Sequence, residues 1–289
     1  MSSSGDIYIG GYRLVNPIYT GQSSRTWQAF DEKERRYCAI KILFQSARKN
    51  KEQIKFFKRE YEIGTLFDSD NIIRFYDFGW QDGCPYIVME YVPAPNIKQM
   101  IQLKYANYCP ILPELLPEMA KALATFNNAG YVHRDIKPDN FLYSPETGVK
   151  LIDFALARKV KGPIKRKLFP FKDKTEGTMS YMSPDQIRGV AFDSRADIYS
   201  LGCSFFELLA NRLPYTGTSM QDLLQKHLSA LPPPITARNG NITPEFAQFL
   251  AQMMAKKPEN RFKSSQEVYN GIRSIRIFKR TPAQGDGVY

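Results

Sequence analysis

The feature that most constrains the fold is a change of sequence character at Pro93-Ala94-Pro95. Before this break, from Tyr12 to about Val92, short runs of β-branched and aromatic residues alternate with turn residues, a pattern that predicts strands. Within that region Ile54, Phe57 and Gly64 follow helical spacing and predict one helix. After the break, longer periodic stretches predict mainly helices. We therefore expect an α+β fold with a small β-rich lobe, a large helical lobe and a ligand cleft between them.

The predicted elements can be assigned to segments of the chain. Strands are predicted at 12–15, 26–30, 37–41, 72–75 and 86–89. Helices beyond the break are predicted at 115–127, 198–209, 220–228, 245–254 and 265–275. One β-hairpin, formed by 140–143 and 149–152, interrupts the helical region.

Charge and cysteine content restrict the function classes. The net charge is +11, with a dense basic stretch from Arg158 to Lys174. Because no zinc-finger, helix-turn-helix or RNP-type signature accompanies this charge, a solvated basic surface is favoured over nucleic-acid binding.

The four cysteines are widely spaced without a Cys-x-x-Cys pair, which argues against a zinc site and fits a reducing cytoplasm. The chain lacks a signal-peptide core, and its most apolar helical stretch, 198–210, is too short to span a bilayer. We therefore expect a cytoplasmic protein, or the soluble portion of a longer one.

The segment His133–Asn140 carries the strongest functional signal. It resembles the catalytic loop of the eukaryotic-like protein kinase superfamily. The resemblance implies that Asp135 accepts the proton of a substrate hydroxyl, that Lys137 contacts the γ-phosphate of ATP, and that Asn140 binds magnesium. Phosphoryl transfer through a loose transition state needs placement and charge neutralisation more than a strong base, and these residue types suit that need.

Two further motifs extend the resemblance. Asp153-Phe154-Ala155 resembles Asp-Phe-Gly, whose carboxylate binds Mg²⁺ (or Mn²⁺), although Ala155 replaces the glycine and should restrict flipping of this turn. Ala39-Ile40-Lys41 resembles the strand whose lysine contacts the α- and β-phosphates of ATP. Glu60, on the same helical face as Phe57 and Gly64, is the carboxylate expected to hold Lys41.

The expected ATP site includes an altered glycine-rich loop. Of its three glycines only Gly21 is present, because Tyr19 and Ser24 occupy the other two positions. Side chains there should limit the approach of backbone N–H groups to the phosphates. The resemblance assigns the cofactor-binding role to Ile18, Gly21, Ser24, Thr26, Ala39, Lys41, Met89, Glu90, Val92, Asn96, Leu142 and Ile152.

The substrate loop, residues 177–185, resembles the segment of the family that ends in Ala-Pro-Glu. Asp185 replaces the glutamate and is expected to reach Arg261, while Asp197 is expected to brace the catalytic loop. Lys137 and Thr178 are the residues that indicate serine/threonine specificity. In the amino-acid sequence of these motifs, the chain most resembles bacterial serine/threonine kinases.

The resemblance also sets domain boundaries. The kinase-like domain is expected at 12–275, with an N-lobe at about 12–90, a hinge at 90–96 and a C-lobe at 97–275. Residues 1–11 and 276–289 are expected to be flexible termini.

Two regulatory hypotheses follow from the resemblance. Thr175 is the candidate site of autophosphorylation, with Arg134 as the partner of the phosphate. Gly64 stands where the family places a large apolar residue against the positions of Phe75, His133 and Phe154. The stack should therefore lack a side chain, which would make the active position of the helix marginal.

Four function classes are compatible in different degrees with these residues. An active serine/threonine kinase of protein substrates, itself included, is the first interpretation, because every catalytic position is retained. A pseudokinase that serves as an ATP-binding or scaffold module is the alternative, suggested by Tyr19, Ser24, Ala155 and Gly64. A small-molecule phosphotransferase is disfavoured by Lys137 and the substrate loop, and a nucleic-acid-binding protein ranks last.

Overall fold

The chain forms two compact units in the computed structural model, which describes residues 7–160, 177–189, 193–284 and 286–288. Of the described residues, the small unit contains those up to Pro93 together with Asp153–Ala155, and the large unit contains Ala94–Ile152 and those from Leu156 onward. The small unit is a sheet with one long helix, and the large unit is mainly helical. The predicted α+β class is therefore confirmed.

The small unit is built on a six-stranded antiparallel sheet with the strand order β1-β2-β3-β4-β6-β5. Its strands are β1 (Tyr8–Ile9), β2 (Tyr12–Thr20), β3 (Ser24–Asp31), β4 (Arg36–Leu43), β5 (Phe75–Gln81) and β6 (Cys84–Glu90). Helix α1 (Lys51–Gly64) begins at Asn50, whose side chain accepts hydrogen bonds from two backbone N–H groups of the first turn. The alternation along the strands buries Ala29, Cys38, Ile40, Tyr86 and Val88 in one core cluster.

One strand of the small unit lies later than predicted. The β-branched residues Ile72 and Ile73 predict a strand, but β5 begins at Phe75, which is paired with Met89. Both isoleucines are nevertheless buried. These residues are apolar because they pack in the core within the connection that precedes β5. From sequence alone, a short apolar run of this kind cannot be distinguished from a strand.

The large unit contains eight helices among the described residues: α2 (Ile97–Ile101), α3 (Tyr105–Tyr108), α4 (Leu112–Asn128), α5 (Pro184–Ile187), α6 (Ser194–Ala210), α7 (Met220–Ser229), α8 (Pro244–Met253) and α9 (Ser265–Ser274). Two antiparallel strand pairs accompany them, β7 (Tyr131–Val132) with β10 (Arg158–Lys159) and the hairpin of β8 (Phe141–Ser144) with β9 (Gly148–Leu151). Helix α6 is buried along almost its whole length, so it lies in the core of this unit.

The structure differs from the sequence-based expectation at the chain ends and in the short helices. Residues 8–9 pair with β2, and Phe278 bridges to Ile242, so parts of both segments expected to be flexible are hydrogen-bonded to their unit. Helices α2 and α3 were not predicted, because five and four residues are too few to show a helical period. The predicted lobe and hinge boundaries stay predictions. In the described part of the chain no helix is long and apolar enough to cross a membrane.

Candidate active site

The small unit contains the predicted pair of Lys41 and Glu60. Lys41 lies on β4, and its Nζ donates to both carboxylate oxygens of Glu60 on α1, at 2.6 and 2.8 Å. Burial alone would lower the pKa of Lys41, but the carboxylates of Asp153 and Glu60 outweigh burial and raise it. Burial raises the pKa of the Glu60 carboxyl to about 7, and the ammonium group of Lys41 opposes that rise. Lys41 is therefore held as a cation in a fixed position.

Asp153 lies beside this pair within the small unit. Its Oδ1 is 3.9 Å from Lys41 Nζ, and 39% of its side chain is exposed. Asp153 adopts a left-handed backbone conformation with φ of 65°, whereas Ala155 has no positive φ. The substitution of glycine by Ala155 is thus unstrained in this conformation, since the residue that needs the left-handed region is Asp153. The carboxylate remains accessible to a ligand.

Gly64 is explained by close packing against Phe75. The Phe154 ring is fully buried and stacks near Phe75 and Phe67, at centroid distances of 5.8 and 6.2 Å. A Cβ atom on Gly64 would lie 2.3 Å from the Phe75 ring. The expectation that the stack lacks a side chain is therefore wrong, because Phe75 fills the space that a larger residue at position 64 would need.

This packing gives the first prediction, which reverses the expectation from sequence. We expect Gly64→Leu to lower stability by about 1–3 kcal/mol, because overpacking forces side chains off their rotamers. Adding Phe75→Ala should recover part of the loss, since the pair exchanges volume. Thermal unfolding of the two single variants and the double variant measures the coupling. Gly240→Leu is the control, because nothing lies within 4 Å of a Cβ there. Additive losses in the double variant would contradict this packing account.

The sheet brings four of the predicted cofactor-binding residues onto one face. Thr26 on β3 is opposite Lys41 on β4, and Ala39 is opposite Met89 on β6. Because Ala39 and Lys41 are two residues apart, and directly paired residues share a face, all four side chains project to the same side of the sheet. These positions can form a continuous surface for a ligand.

The remaining predicted residues of the small unit lie at its turns and strand ends. Ile18 is the extra residue in a register shift of β2 and is 47% exposed. Gly21 and Ser24 close the turn between β2 and β3, where Gly21 N donates to Ser24 O at 2.9 Å. Glu90 ends β6 with its carboxylate accepting from the backbone N–H of Arg74, and Val92 is buried just after it.

The large unit assembles the predicted catalytic loop around Asp135. Lys137 Nζ lies 2.7 Å from Asp135 Oδ2 and donates to Thr178 Oγ1 at 2.7 Å. Thr178 N donates to Asp135 Oδ1 at 2.9 Å. Asn140 Nδ2 donates to the backbone oxygen of Asp135 at 2.7 Å. The carboxylate is therefore fixed by the substrate loop on one side and by the lysine on the other.

The backbone of this loop is held from helix α6. Buried Asp197 accepts hydrogen bonds from the backbone N–H groups of His133 and Arg134, at 2.7 and 2.9 Å, which is the bracing role expected for it. Burial raises the pKa of Asp197, and the neighbouring His133 and these backbone donors oppose the rise.

Two further contacts hold Arg134. Sequence reasoning missed Gln186, whose Nε2 donates to Arg134 O at 2.8 Å. Gly177 has φ of 121° and lies so close to Arg134 O that a Cβ would come within 3.1 Å.

The predicted cofactor-binding residues of the large unit lie near Asn140. Ile152 N donates to Asn140 O at 2.9 Å, and Ile152 O is 3.2 Å from a ring nitrogen of His133. Leu142 forms a backbone bridge with Asn96. The Asn96 side chain accepts from Gln99 N in a capping box of α2, so its first role here is to begin that helix.

The ion pair expected between Asp185 and Arg261 is present. Arg261 Nη1 donates to Asp185 Oδ2 at 2.7 Å, and the two side chains are 0% and 8% exposed. Asp185 lies in α5, directly after the substrate loop turns into helix. Although aspartate is shorter than the glutamate of the family motif, the Asp185 carboxylate reaches Arg261. The ion pair anchors the end of the substrate loop in the interior.

Thr175 lies outside the described residues, as does 161–174, most of the basic stretch. The autophosphorylation hypothesis therefore stays a prediction.

Comparisons with known proteins give matches that cover most of the chain. The family model described as "Protein kinase domain" matches residues 12–270. The chain is 30% identical over 272 residues to "Probable serine/threonine-protein kinase CPE1738" of Clostridium perfringens, covering 94% of this chain and 39% of that protein. It is 30% identical over 265 residues to the serine/threonine-protein kinase PrkC of Bacillus subtilis, covering 92% and 40%. For PknB of Mycobacterium tuberculosis the identity is 29% over 281 residues, covering 96% and 44%. The chain thus spans about two fifths of the length of these relatives.

Proposed function

Because the chain belongs to the protein kinase domain family, we propose that it transfers the γ-phosphate of ATP to serine and threonine hydroxyls of proteins. The observation that carries the proposal is the cluster around Asp135, in which Lys137 Nζ lies 2.7 Å from both the Asp135 carboxylate and the Thr178 hydroxyl. A base, a cation and a residue of the substrate loop are thereby fixed together. The similar proteins named as serine/threonine-protein kinases support the same substrate class.

Each charged residue has a defined task in this proposal. Asp135 accepts the proton of the substrate hydroxyl as the new oxygen–phosphorus bond forms and the bond to ADP breaks. Lys137 stays within contact of that carboxylate and neutralises charge on the transferred phosphoryl group. Because the loop backbone is fixed by Asp197, neither group needs to reorganise during the reaction.

The donor types present fit ATP and Mg²⁺ (or Mn²⁺). Lys41, whose pKa is raised by the two carboxylates beside it despite burial, provides a permanent cation for phosphate oxygens. Asp153 provides an exposed carboxylate, and Asn140, which donates from Nδ2 to Asp135 O, retains its amide oxygen as an acceptor. Carboxylate and amide oxygens are suitable magnesium ligands. When bound, the metal neutralises charge on the β- and γ-phosphates.

A pseudokinase is not favoured. Tyr19 and Ser24 alter the glycine-rich loop, but Gly21 still forms its turn. The Lys41–Glu60 pair and the cluster around Asp135 are both intact. We expect the altered loop to affect the rate of ATP use and to leave the reaction type unchanged.

The test is transfer of label from γ-labelled ATP to a generic basic protein and to the chain itself. We expect phosphoserine and phosphothreonine when magnesium is present, and no transfer when EDTA removes the metal, because the phosphates then lack charge neutralisation. Excess magnesium added after EDTA should restore transfer. ATP binding without transfer under these conditions would contradict the proposal. Mass spectrometry of the labelled chain tests Thr175 separately.

A further inference from the structure

Tyr19, in the altered glycine-rich loop, lies in one row with Thr26 and Lys41 across three neighbouring strands. Tyr19 on β2 is paired with Thr26 on β3, and Thr26 is paired with Lys41 on β4. Because directly paired residues project to the same face of a sheet, Tyr19 shares the face of Lys41, Ala39 and Met89. Neighbouring strands are about 5 Å apart, so Tyr19 and Lys41 are separated by roughly 10 Å across the row. Two side chains of this length can contact the same bound molecule.

A register shift in β2 gives Tyr19 this orientation. One extra residue, Ile18, interrupts the pairing just before Tyr19. Without it Tyr19 would be opposite Arg25 and would project to the other face of the sheet, because a slip of one residue reverses the face. The next residue, Thr20, is opposite Arg25, and its Oγ1 accepts from Arg25 Nε at 3.1 Å on that other face. The shift therefore directs the phenol to the side of Lys41.

The phenol of Tyr19 is accessible and acts electrostatically on Lys41. Tyr19 is 58% exposed, and its ring lies beside Gly21, where a Cβ atom would come within 3.4 Å of Tyr19 Cε1. Burial lowers the pKa of Lys41, whereas Asp153, Glu60 and, least of these, Tyr19 raise it. The phenol therefore lies near the ammonium group to which the proposed function assigns the phosphate oxygens.

The altered loop lacks donors that can approach a phosphate. In the motif Gly-x-Gly-x-x-Gly, the glycines let backbone N–H groups reach the phosphates, and side chains at positions 19 and 24 limit that approach. A phenol carries an O–H donor, and a hydrogen bond to a charged phosphate oxygen is stronger than one between neutral groups. A donor at position 19 on the face of Lys41 therefore offsets part of the loss.

We propose that the Tyr19 hydroxyl binds a phosphate group of the nucleotide together with Lys41, in place of the backbone donors that a glycine at position 19 would expose. The inference rests on the proposed function and makes Tyr19 a residue that selects phosphorylated nucleotides over the nucleoside. An aromatic residue here has two alternative roles, because the ring would either stack on the base and ribose or obstruct the loop. The three roles predict different affinities for ADP and adenosine.

The test is equilibrium binding of ADP and of adenosine, measured by calorimetry with magnesium present. Tyr19→Phe keeps the ring and removes only the hydroxyl. We expect its affinity for ADP to fall on the order of tenfold, the usual contribution of a hydrogen bond to a charged group, and its affinity for adenosine to stay unchanged. Tyr19→Arg places cationic donors at the same position and should restore the affinity for ADP. Tyr8→Phe is the matched control, because Tyr8 lies on β1, is 45% exposed and undergoes the same chemical change.

The outcomes separate the three roles. Loss of ADP affinity in Tyr19→Phe, with adenosine binding retained and Tyr8→Phe unchanged, would support the inference. Unchanged or tighter ADP binding in Tyr19→Phe, a parallel loss of adenosine binding, or a Tyr19→Arg variant that binds ADP no better than Tyr19→Phe would each overturn it.

Phosphate transfer judges the proposed function separately. If the wild-type chain binds ADP and transfers phosphate to no protein, the proposed function fails, and the ADP affinities still decide the role of Tyr19. If the wild type transfers phosphate and Tyr19→Phe binds ADP as the wild type does, only the inference about Tyr19 fails.

Discussion

Asp135→Asn is expected to reduce phosphate transfer to protein substrates by about 10²- to 10⁴-fold, the usual contribution of a general base. The amide has nearly the same shape as the carboxylate, so the contacts with Lys137 and the Thr178 backbone can persist in part. It cannot accept the proton of the substrate hydroxyl, and it leaves the Lys137 ammonium without its anionic partner. The loss should therefore fall on kcat.

Steady-state kinetics with a peptide, together with fluorescent-nucleotide binding, measure this effect. Nucleotide affinity should be unchanged, because Lys41 and the sheet residues are untouched. Asp139→Asn is the matched control, since it makes the same chemical change four positions later in the same loop. Equal activity of Asp135→Asn and wild type would exclude Asp135 as the base, and an equal loss in Asp139→Asn would indicate a general effect of loop charge.

Arg261→Met is expected to lower the stability of the large unit by about 3–5 kcal/mol, because it leaves a buried carboxylate without its partner. Arg261 also donates to the backbone oxygens of Ala255, Arg195 and Lys256, at 2.7, 2.9 and 3.1 Å. Methionine fills the space and supplies none of these donors. The end of the substrate loop at Asp185 should therefore lose its anchor along with the ion pair.

Urea unfolding with one global fit for the variant and the wild type measures this difference. Arg280→Met is the control, because the Arg280–Asp286 pair is at the surface, with Arg280 64% exposed, and its loss should leave stability unchanged. Adding Asp185→Leu to Arg261→Met should restore part of the stability, because the unpaired charge is then removed. A stability change in Arg261→Met no larger than that of the control would refute the anchoring role.

The parts of the site that sequence reasoning predicted are those in which local sequence places the chemistry. Residues 133–140 form one continuous loop, so its motif specifies both the identity and the spacing of Asp135, Lys137 and Asn140. Glu60 could be chosen because helical periodicity fixes which residues of α1 share a face. Ala39 and Lys41, two residues apart on the predicted strand 37–41, share a face because successive side chains alternate along a strand.

The interpretation of Gly64 failed for a tertiary reason. A glycine in a helix looks like a missing side chain when only its own segment is considered. The ring that fills its space belongs to Phe75, eleven positions away on a strand, and no local pattern reports the approach of that ring. Comparison of positions 64 and 75 as a pair, a small residue matched with a large one, is the signal that could have found it.

The sequence by itself determined the α+β class, the family and the chemical character of the catalytic residues, because periodicity and contiguous motifs are properties of neighbouring positions. Only the tertiary structure decided that Asp153–Ala155 packs with the small unit, and that Lys98, Tyr181 and Glu207 meet. Lys98 is 83 and 109 positions from its two partners. The physical reason is that these contacts are selected by burial: once α6 is buried, its carboxylate requires donors, and only the folded chain specifies which residues come within reach.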